Sequence, residues 1–278
     1  MNLKDLSFYK QNGFLVKKNL ISKKTIQNIN NEINKFKKIK NYNFFEHKTV
    51  NKKKYFLRLQ DPHLRHKLFK NLYKNKKIID IVAKLLGGTV RFHHSKLNFK
   101  LPSSLGGAVH WHQDWSFYPH TNDDLLAVGI YLEDCFDVNG PLKVIPTSHK
   151  KKLYNHHYKG KFIGKINDKL NIKKAISLTG TAGTVTFHHV RTVHGSGLNL
   201  TNNSRPLLLY GYSSVDAWPI TYDKGSATDP NNNLKDFDKQ IIRGNKTLNP
   251  RIEKVPIIMP LPRISDSIYD LQKKQIKN

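Results

Sequence analysis

A mainly β fold with flanking helices (α+β), of the sandwich or barrel class, is what this sequence predicts, on three observations. From Thr89 onward the chain breaks into short β-branched or aromatic runs, TVRFHHSKLNFKL, AVHWHQDW, LLAVGIYL, PLKVIP, AISLTG, TVTFHHV and PLLLYGY, separated by Gly, Pro, Asn and Asp. Strands at such short spacing make a sandwich or a barrel. Before Thr89 the apolar residues recur every three or four positions, which is the period of helices. The hydrophobic fraction of 38%, with 14 Phe and 12 Tyr, gives a chain of 278 residues enough to bury a core in spite of its charge.

The elements follow in order. Residues 3 to 12 read as a short helix closed by Gly13, a left-handed cap, and Phe14-Leu15-Val16 as a strand. Ser22 caps a second helix, whose Ile26, Ile29, Ile33, Phe36 and Ile39 share one face. A third helix runs from about Lys70 to Leu86 and stops at Gly87-Gly88. The expected division is a helical scaffold over 1–88, a β core over 89–218 and a C-terminal flap and helix over 219–278, all in one domain. Within the last part, Gly225, Pro230 and Pro250 mark loops, and Ser265 caps a final helix to about Lys277.

The formal net charge is +28, which in a clustered form would indicate nucleic acid or anionic membrane. Here the lysines are spread among many Asn and Ile residues, and the unbroken basic runs, Lys52–Lys54 and Lys150–Lys152, are short and internal. A compositional bias explains that pattern, so no specific nucleic acid is expected as partner. One cysteine, Cys135, excludes an intrachain disulfide. There is no apolar N-terminal run and no stretch of 18 apolar residues, so a cytoplasmic protein without a membrane span is expected.

The chemistry concentrates in HWHQDWSFYPH. In an extended strand, residues two apart share a face, so His112 and Asp114 converge on one point. Two imidazoles and one carboxylate on one face of an octahedron suit ferrous iron and leave three positions open. The missing donor is sought in TVTFHHVRTVHGSGLNL, where His194 is nominated. Arg205 heads an apolar strand eleven residues later, a place for a guanidinium that binds a carboxylate inside the barrel. Ser196 lies two beyond His194 on the same face and adds a hydroxyl. His110 shares the face of His112 and offers a His-x-His alternative; His188 and His189 read as packed or supporting histidines, and Gln113 points away from the metal.

Taken together, His112-x-Asp114, His194, Ser196 and Arg205, with the segments WHQDWSFYPHTNDD, NGPLKVIPTSHK and GTVTFHHVRTVHGSG, resemble the phytanoyl-CoA dioxygenase family of iron(II)- and 2-oxoglutarate-dependent oxygenases. The resemblance covers roughly residues 5 to 220. It implies a double-stranded β-helix core of the jelly-roll, cupin-like type. It also implies Fe(II), 2-oxoglutarate and O2, and the hydroxylation of a small organic substrate coupled to decarboxylation of 2-oxoglutarate to succinate and CO2. His112, Asp114 and His194 would be the ligands, while Arg205 and Ser196 would bind the distal carboxylate of 2-oxoglutarate. The carboxylate of Asp114 favours hydroxylation over halogenation. The alternative, a non-catalytic or differently catalytic cupin-like metal binder, has no need of Arg205 or Ser196.

Further contacts are expected from neighbouring positions. Lys96 and Asn98, which alternate with Lys100 on the strand before the metal strand, are candidates for the co-substrate. Trp115, Phe117, Tyr118, His120, Arg191 and Trp218 are candidates for the mouth of a small-molecule pocket. Arg191 either holds an anionic substrate group or pairs with Asp123, Asp124 or Asp216.

Overall fold

The computed structural model describes residues 1–38, 45–220, 234–262 and 268–273. In chain order it contains α1 (Leu3–Asn12), β1 (Phe14–Lys17), α2 (Lys23–Lys38), β2 (Phe45–Val50), β3 (Lys53–Gln60), α3 (Pro62–Arg65), α4 (Lys67–Tyr73), α5 (Lys76–Leu85), β4 (Val90–Lys100), β5 (Val109–His112), β6 (Leu125–Tyr131) and β7 (Leu142–Val144). There follow β8 (His157–Tyr158), β9 (Lys161–Phe162), β10 (Ile176–Leu178), β11 (Val185–His189), β12 (His194–Ser196), β13 (Arg205–Ser213), α6 (Leu234–Asp238), β14 (Ile241–Arg243) and α7 (Ile268–Lys273). The large sheet has the order β1-β11-β6-β13-β4-β3-β2, with β14 also on β4, and the small sheet has the order β10-β7-β12-β5. This is the jelly-roll core that was expected, with the helices outside it.

Strand alternation sorts the large sheet into two faces. Leu97 and Phe99 of β4, Val128 and Ile130 of β6, Phe187 of β11 and Leu208 of β13 join the core with Ile26, Ile29, Ile33 and Phe36 of α2 and with Ile78 and Val82 of α5. Tyr210 and Tyr212 are buried in that layer and donate their hydroxyls to the carbonyls of Phe69 and Tyr73 at 2.8 Å, so neither polar group is left unsatisfied. The opposite face carries Lys96, Asn98 and Lys100 on β4 and Arg205, Leu207 and Leu209 on β13, which line an internal cavity.

Local signals account for the ends of the helices. Ser22 Oγ accepts the Thr25 N–H at 3.2 Å, as its capping role requires. Gly13 ends α1 at φ +80°, and a Cβ there would lie 2.4 Å from His149 Nδ1, so only glycine fits.

Two expectations are corrected. The single helix from Lys70 to Leu86 is two, because Asn75 caps α5 with its side chain on Lys77 N at 3.0 Å. The N-terminal part is not only helical: β2 and β3 form a hairpin through Asn51 and Lys52, both at positive φ, and β3 pairs with β4 through Arg58↔Asn98. Among the described residues, 234–262 contribute nothing to the wall of the cavity, whereas α7 does. The positions of Ile39, Gly225, Pro230 and Ser265 lie outside the described residues. No helix among them is long and apolar enough to cross a membrane.

Candidate active site

β5 and β12 are antiparallel neighbours in the small sheet, and their register sets His112 directly opposite His194. β5 stops at His112. Gln113 is still extended, and Asp114 opens a short 3-10 helix, so the two donors are joined by a strand end and a turn, not by the continuous strand that was expected. The turn brings the carboxylate back: Asp114 Oδ1 is 3.7 Å from His112 Nε2 and 3.8 Å from His194 Nε2. All three donor atoms lie within 4.8 Å of one another. Metal bonds to imidazole nitrogen and carboxylate oxygen are about 2 Å long, so one ion between them reaches both partners in each pair.

The ring orientations are determined by the backbone. His112 Nδ1 lies 2.8 Å from the His110 carbonyl, and His194 Nδ1 lies 2.8 Å from the Thr192 carbonyl. A carbonyl only accepts, so each Nδ1 carries the proton and each Nε2 presents a lone pair. Burial pushes both imidazoles below the ordinary histidine range, for His194 well below it. Burial pushes the Asp114 carboxyl up, but His194, His188 and His112 around it outweigh burial and hold it well below 3.8. Two neutral imidazoles and an ionised carboxylate are the protonation states in which this donor set binds a divalent cation. Gln113 is fully buried and turned away from these donors: its amide binds the Arg191 carbonyl at 2.8 Å and the Tyr154 N–H at 2.9 Å.

The donors open into a cavity of about 310 Å³. Farther along its wall, Arg205 is 5% exposed and gives Nε and Nη2 to the carbonyls of Asn139 and Gly140 at 3.1 and 2.9 Å. Its Nη1 is buried with no protein partner. Lys100, opposite Arg205 in the β4–β13 register, donates to Ser196 Oγ at 2.8 Å. The amide oxygen of Asn98 is buried and unpartnered as well. A buried donor without a partner costs about 1–3 kcal/mol, so an orphan guanidinium N–H beside an ammonium and a hydroxyl fits a carboxylate held at this end.

A family model described as phytanoyl-CoA dioxygenase matches residues 9–207 of this chain. The chain belongs to that family. It is 40% identical over 238 residues to the "Probable alpha-ketoglutarate-dependent hypophosphite dioxygenase" of Stutzerimonas stutzeri, covering 82% of this chain and 80% of the relative. With the ectoine dioxygenase of Streptomyces anulatus it shares 28% identity over 234 residues, 77% of this chain and 78% of that one. The crystal structure of EctD from S. alaskensis in its apo form superposes with a TM-score of 0.69 at 18% identity, over 83% of this chain and 85% of the other, a likeness of fold. This family member is an Fe(II)- and 2-oxoglutarate-dependent dioxygenase.

The remaining candidates separate cleanly. Lys96, Asn98, Ser196, Arg205, Phe117 and Tyr118 all line the cavity, with the Phe117 ring 5.9 Å from that of His112. Four others do not. Trp115 is fully buried against Leu125, Leu153 and Val190, and its indole N–H donates to the Pro256 carbonyl at 2.7 Å. His120 is buried with Nδ1 at 2.9 Å from the Tyr118 carbonyl. Trp218 packs on Phe237, with ring centroids 5.3 Å apart. Arg191 is ion-paired to Asp123 at 2.8 Å and bonded to the Lys151 carbonyl at 2.6 Å, the pairing alternative of its two readings. Closeness in sequence to the donors was not enough for these four: Trp115 and His120 follow Asp114 but pack away from the cavity, Arg191 lies in the turn between β11 and β12, and Trp218 lies beyond the end of β13.

Among the cavity residues not singled out as site residues are Lys100, Arg58 and His188. Lys100 alternates with Lys96 and Asn98, and that alternation was its signal. Arg58, on β3, carried no signal, since the strand itself was not anticipated. His188 faces inward on β11 with Nε2 3.6 Å from Asp114 Oδ2, outside hydrogen-bond distance but inside its field, and both ring nitrogens lack partners.

Proposed function

We propose that the chain hydroxylates a small molecule, with His112, Asp114 and His194 holding ferrous iron and with Arg205, Lys100 and Ser196 holding the distal carboxylate of 2-oxoglutarate. One observation supports this best: a single cavity joins a neutral-imidazole and carboxylate donor set to a buried guanidinium with an unpartnered N–H. When bound, iron would supply the activation of dioxygen, using electrons from decarboxylation of 2-oxoglutarate to succinate and carbon dioxide. The protein supplies placement. The backbone carbonyls of His110 and Thr192 hold both Nε2 lone pairs towards the point where the ion would be held. The ring of Phe117 packs edge-on to His112, and Tyr118 and α7 narrow the cavity and limit water.

A cavity of about 310 Å³ is at the low end for ligand sites and must also hold the co-substrate, which supports a compact substrate over an acyl thioester. The names of the relatives, with hypophosphite and ectoine, are in keeping with that size. We also read the whole chain as one catalytic domain, supported by one hydrophobic cluster that joins residues from Tyr9 in the N-terminal part to Tyr212 on β13. A reducing cytoplasm is the compartment proposed, supported by the buried free thiol of Cys135.

The test is anaerobic. Adding Fe(II) and then 2-oxoglutarate to the metal-free protein should produce the weak visible charge-transfer band of the chelate. In Arg205→Ala the band should need about 10- to 100-fold more 2-oxoglutarate, the loss expected for a charge-assisted hydrogen bond. Identical titrations for the two proteins would reject the co-substrate assignment.

A further inference from the structure

We infer that the cavity contains a second anion subsite, beside that of 2-oxoglutarate, in which Arg58 and Lys96 hold the oxyanion head of the primary substrate. This rests on the co-substrate reading above.

Charge is the first reason. Among the described residues, Lys48, Arg58, Lys96, Lys100 and Arg205 line the cavity, with the carboxylate of Asp114 in its wall and that of Glu46 beside Arg58. A ferrous ion and a 2-oxoglutarate dianion cancel each other, so loading the enzyme brings no net negative charge to this wall. Cations that face one another in a low-dielectric cavity repel, and an anion among them relieves the repulsion.

Placement is the second. Lys100 and Arg205 face each other across β4 and β13 at the Ser196 end. Arg58 belongs to a different strand: on β3 it is opposite Asn98, and Lys96 is opposite Gln60 one row along. Asn98 therefore stands between two cation pairs, Lys100 with Arg205 on one side and Arg58 with Lys96 on the other. Diagonal neighbours on a sheet are about 7–8 Å apart at Cα, within the span of an oxyanion bridged by two long side chains.

The third reason is the state of Arg58. It is 4% exposed, yet its Nε–H is buried with no protein partner. Glu46 approaches one end of the guanidinium at 3.4 Å while also accepting the Gln60 amide at 3.0 Å, which engages only part of the five-donor fork. The ring of Tyr269, from α7, covers its face at 4.9 Å and fixes its plane. A desolvated, stacked guanidinium with a spare N–H is built to receive an oxyanion. The net charge of +28, which the sequence left without a role, would raise the encounter rate of such a substrate.

The reaction balances with this substrate class. One oxygen atom of O2 enters the X–H bond of the oxyanion, where X is carbon or phosphorus, and gives X–OH with its hydrogen retained. The other enters succinate as carbon dioxide leaves 2-oxoglutarate. Substrate and 2-oxoglutarate each lose two electrons, and dioxygen takes up all four.

Calorimetry on the anaerobic Fe(II)–2-oxoglutarate enzyme tests the subsite without turnover. The probes are hypophosphite, methylphosphonate and propionate, with propionamide as the neutral isostere of the last. At least one oxyanion should bind 10-fold or more tightly than propionamide, and the comparison of the phosphorus oxyanions with propionate identifies which head fits. Arg58→Gln should weaken that oxyanion about 10- to 100-fold while changing the Kd of 2-oxoglutarate less than 2-fold, and Arg58→Lys should recover part of the loss. Lys96→Gln carries the same test should Arg58→Gln fail to fold. Equal binding of charged and neutral probes, no binding of any oxyanion, or an equal loss of 2-oxoglutarate affinity in Arg58→Gln would each overturn the subsite. Failure of wild type to bind 2-oxoglutarate at all would overturn the co-substrate reading first, and this inference with it.

Discussion

Replacing Lys100 by methionine should make the metal-free protein more stable and its co-substrate site worse. Lys100 is 8% exposed and beside Arg205; burial first, and Arg205 second, push its ammonium from 10.5 down to about 7. The unfolded chain holds this proton up to about pH 10, while the folded chain has half released it at pH 7. At 1.36 kcal/mol for each tenfold change in proton affinity, the folded state at pH 7 bears a penalty of at most about 4 kcal/mol. The sign follows from proton counts: between pH 7 and 10.5 the unfolded state binds more protons, so this group's penalty fades as pH rises through that window. Methionine matches the length and removes the charge, at the loss of the bond to Ser196, about 1 kcal/mol. The net gain at pH 7 is about 2–3 kcal/mol, or a Tm rise of roughly 5 °C, shrinking towards zero near pH 10. Thermal unfolding followed by circular dichroism at pH 7 and pH 9.5 measures the first effect, and calorimetry measures the second, a 10- to 100-fold weaker 2-oxoglutarate. A variant less stable than wild type at pH 7, or one that binds 2-oxoglutarate unchanged, would refute the reasoning.

Two further outcomes concern the fold. Burial holds His63, His156 and His189 at about 4, against 6.5 in solvent, so in acid the unfolded chain takes up protons first; stability of the metal-free protein should fall by several kcal/mol between pH 6.5 and 4, as urea titrations at stepped pH would show. In Gly211→Ala the new methyl would lie 2.7 Å from His94 Cε1, which displaces a ring in the cavity wall, and a loss of about 1–3 kcal/mol in chemical denaturation is expected.

What the sequence made legible, and what it did not, has physical causes. Most strands from Val90 to Ser213 were readable because β-branched runs between turn residues have one good solution; the two-residue β8 and β9 were not read. β2 and β3 were not: KKKYFLRLQ mixes charge into the strand, and its burial depends on a partner, β4, that lies more than thirty residues on. The three metal donors, Ser196 and Arg205 were readable from type and spacing, and they do gather in one cavity. Asp114 reaches the same point as expected, by a 3-10 turn in place of an extended residue. Trp115, His120, Arg191 and Trp218 were placed at the pocket mouth on nearness in sequence, but a turn reverses direction within a few residues. Arg58 was passed over because its strand was not anticipated, whereas Lys100 was noted for its alternation with Lys96 and Asn98 but not chosen, since a charged strand residue ordinarily faces water and only the paired sheets show that here it does not.

The assignment of the donor set is tested most directly by anaerobic calorimetry of Fe(II) on wild type and single alanine variants. One equivalent should bind tightly to wild type; His112→Ala, Asp114→Ala and His194→Ala should each abolish that tight phase, while His110→Ala retains it and His188→Ala weakens it by about 10-fold. Tight binding that survives loss of His194, or that disappears with His110 and not with His112, would contradict the assignment.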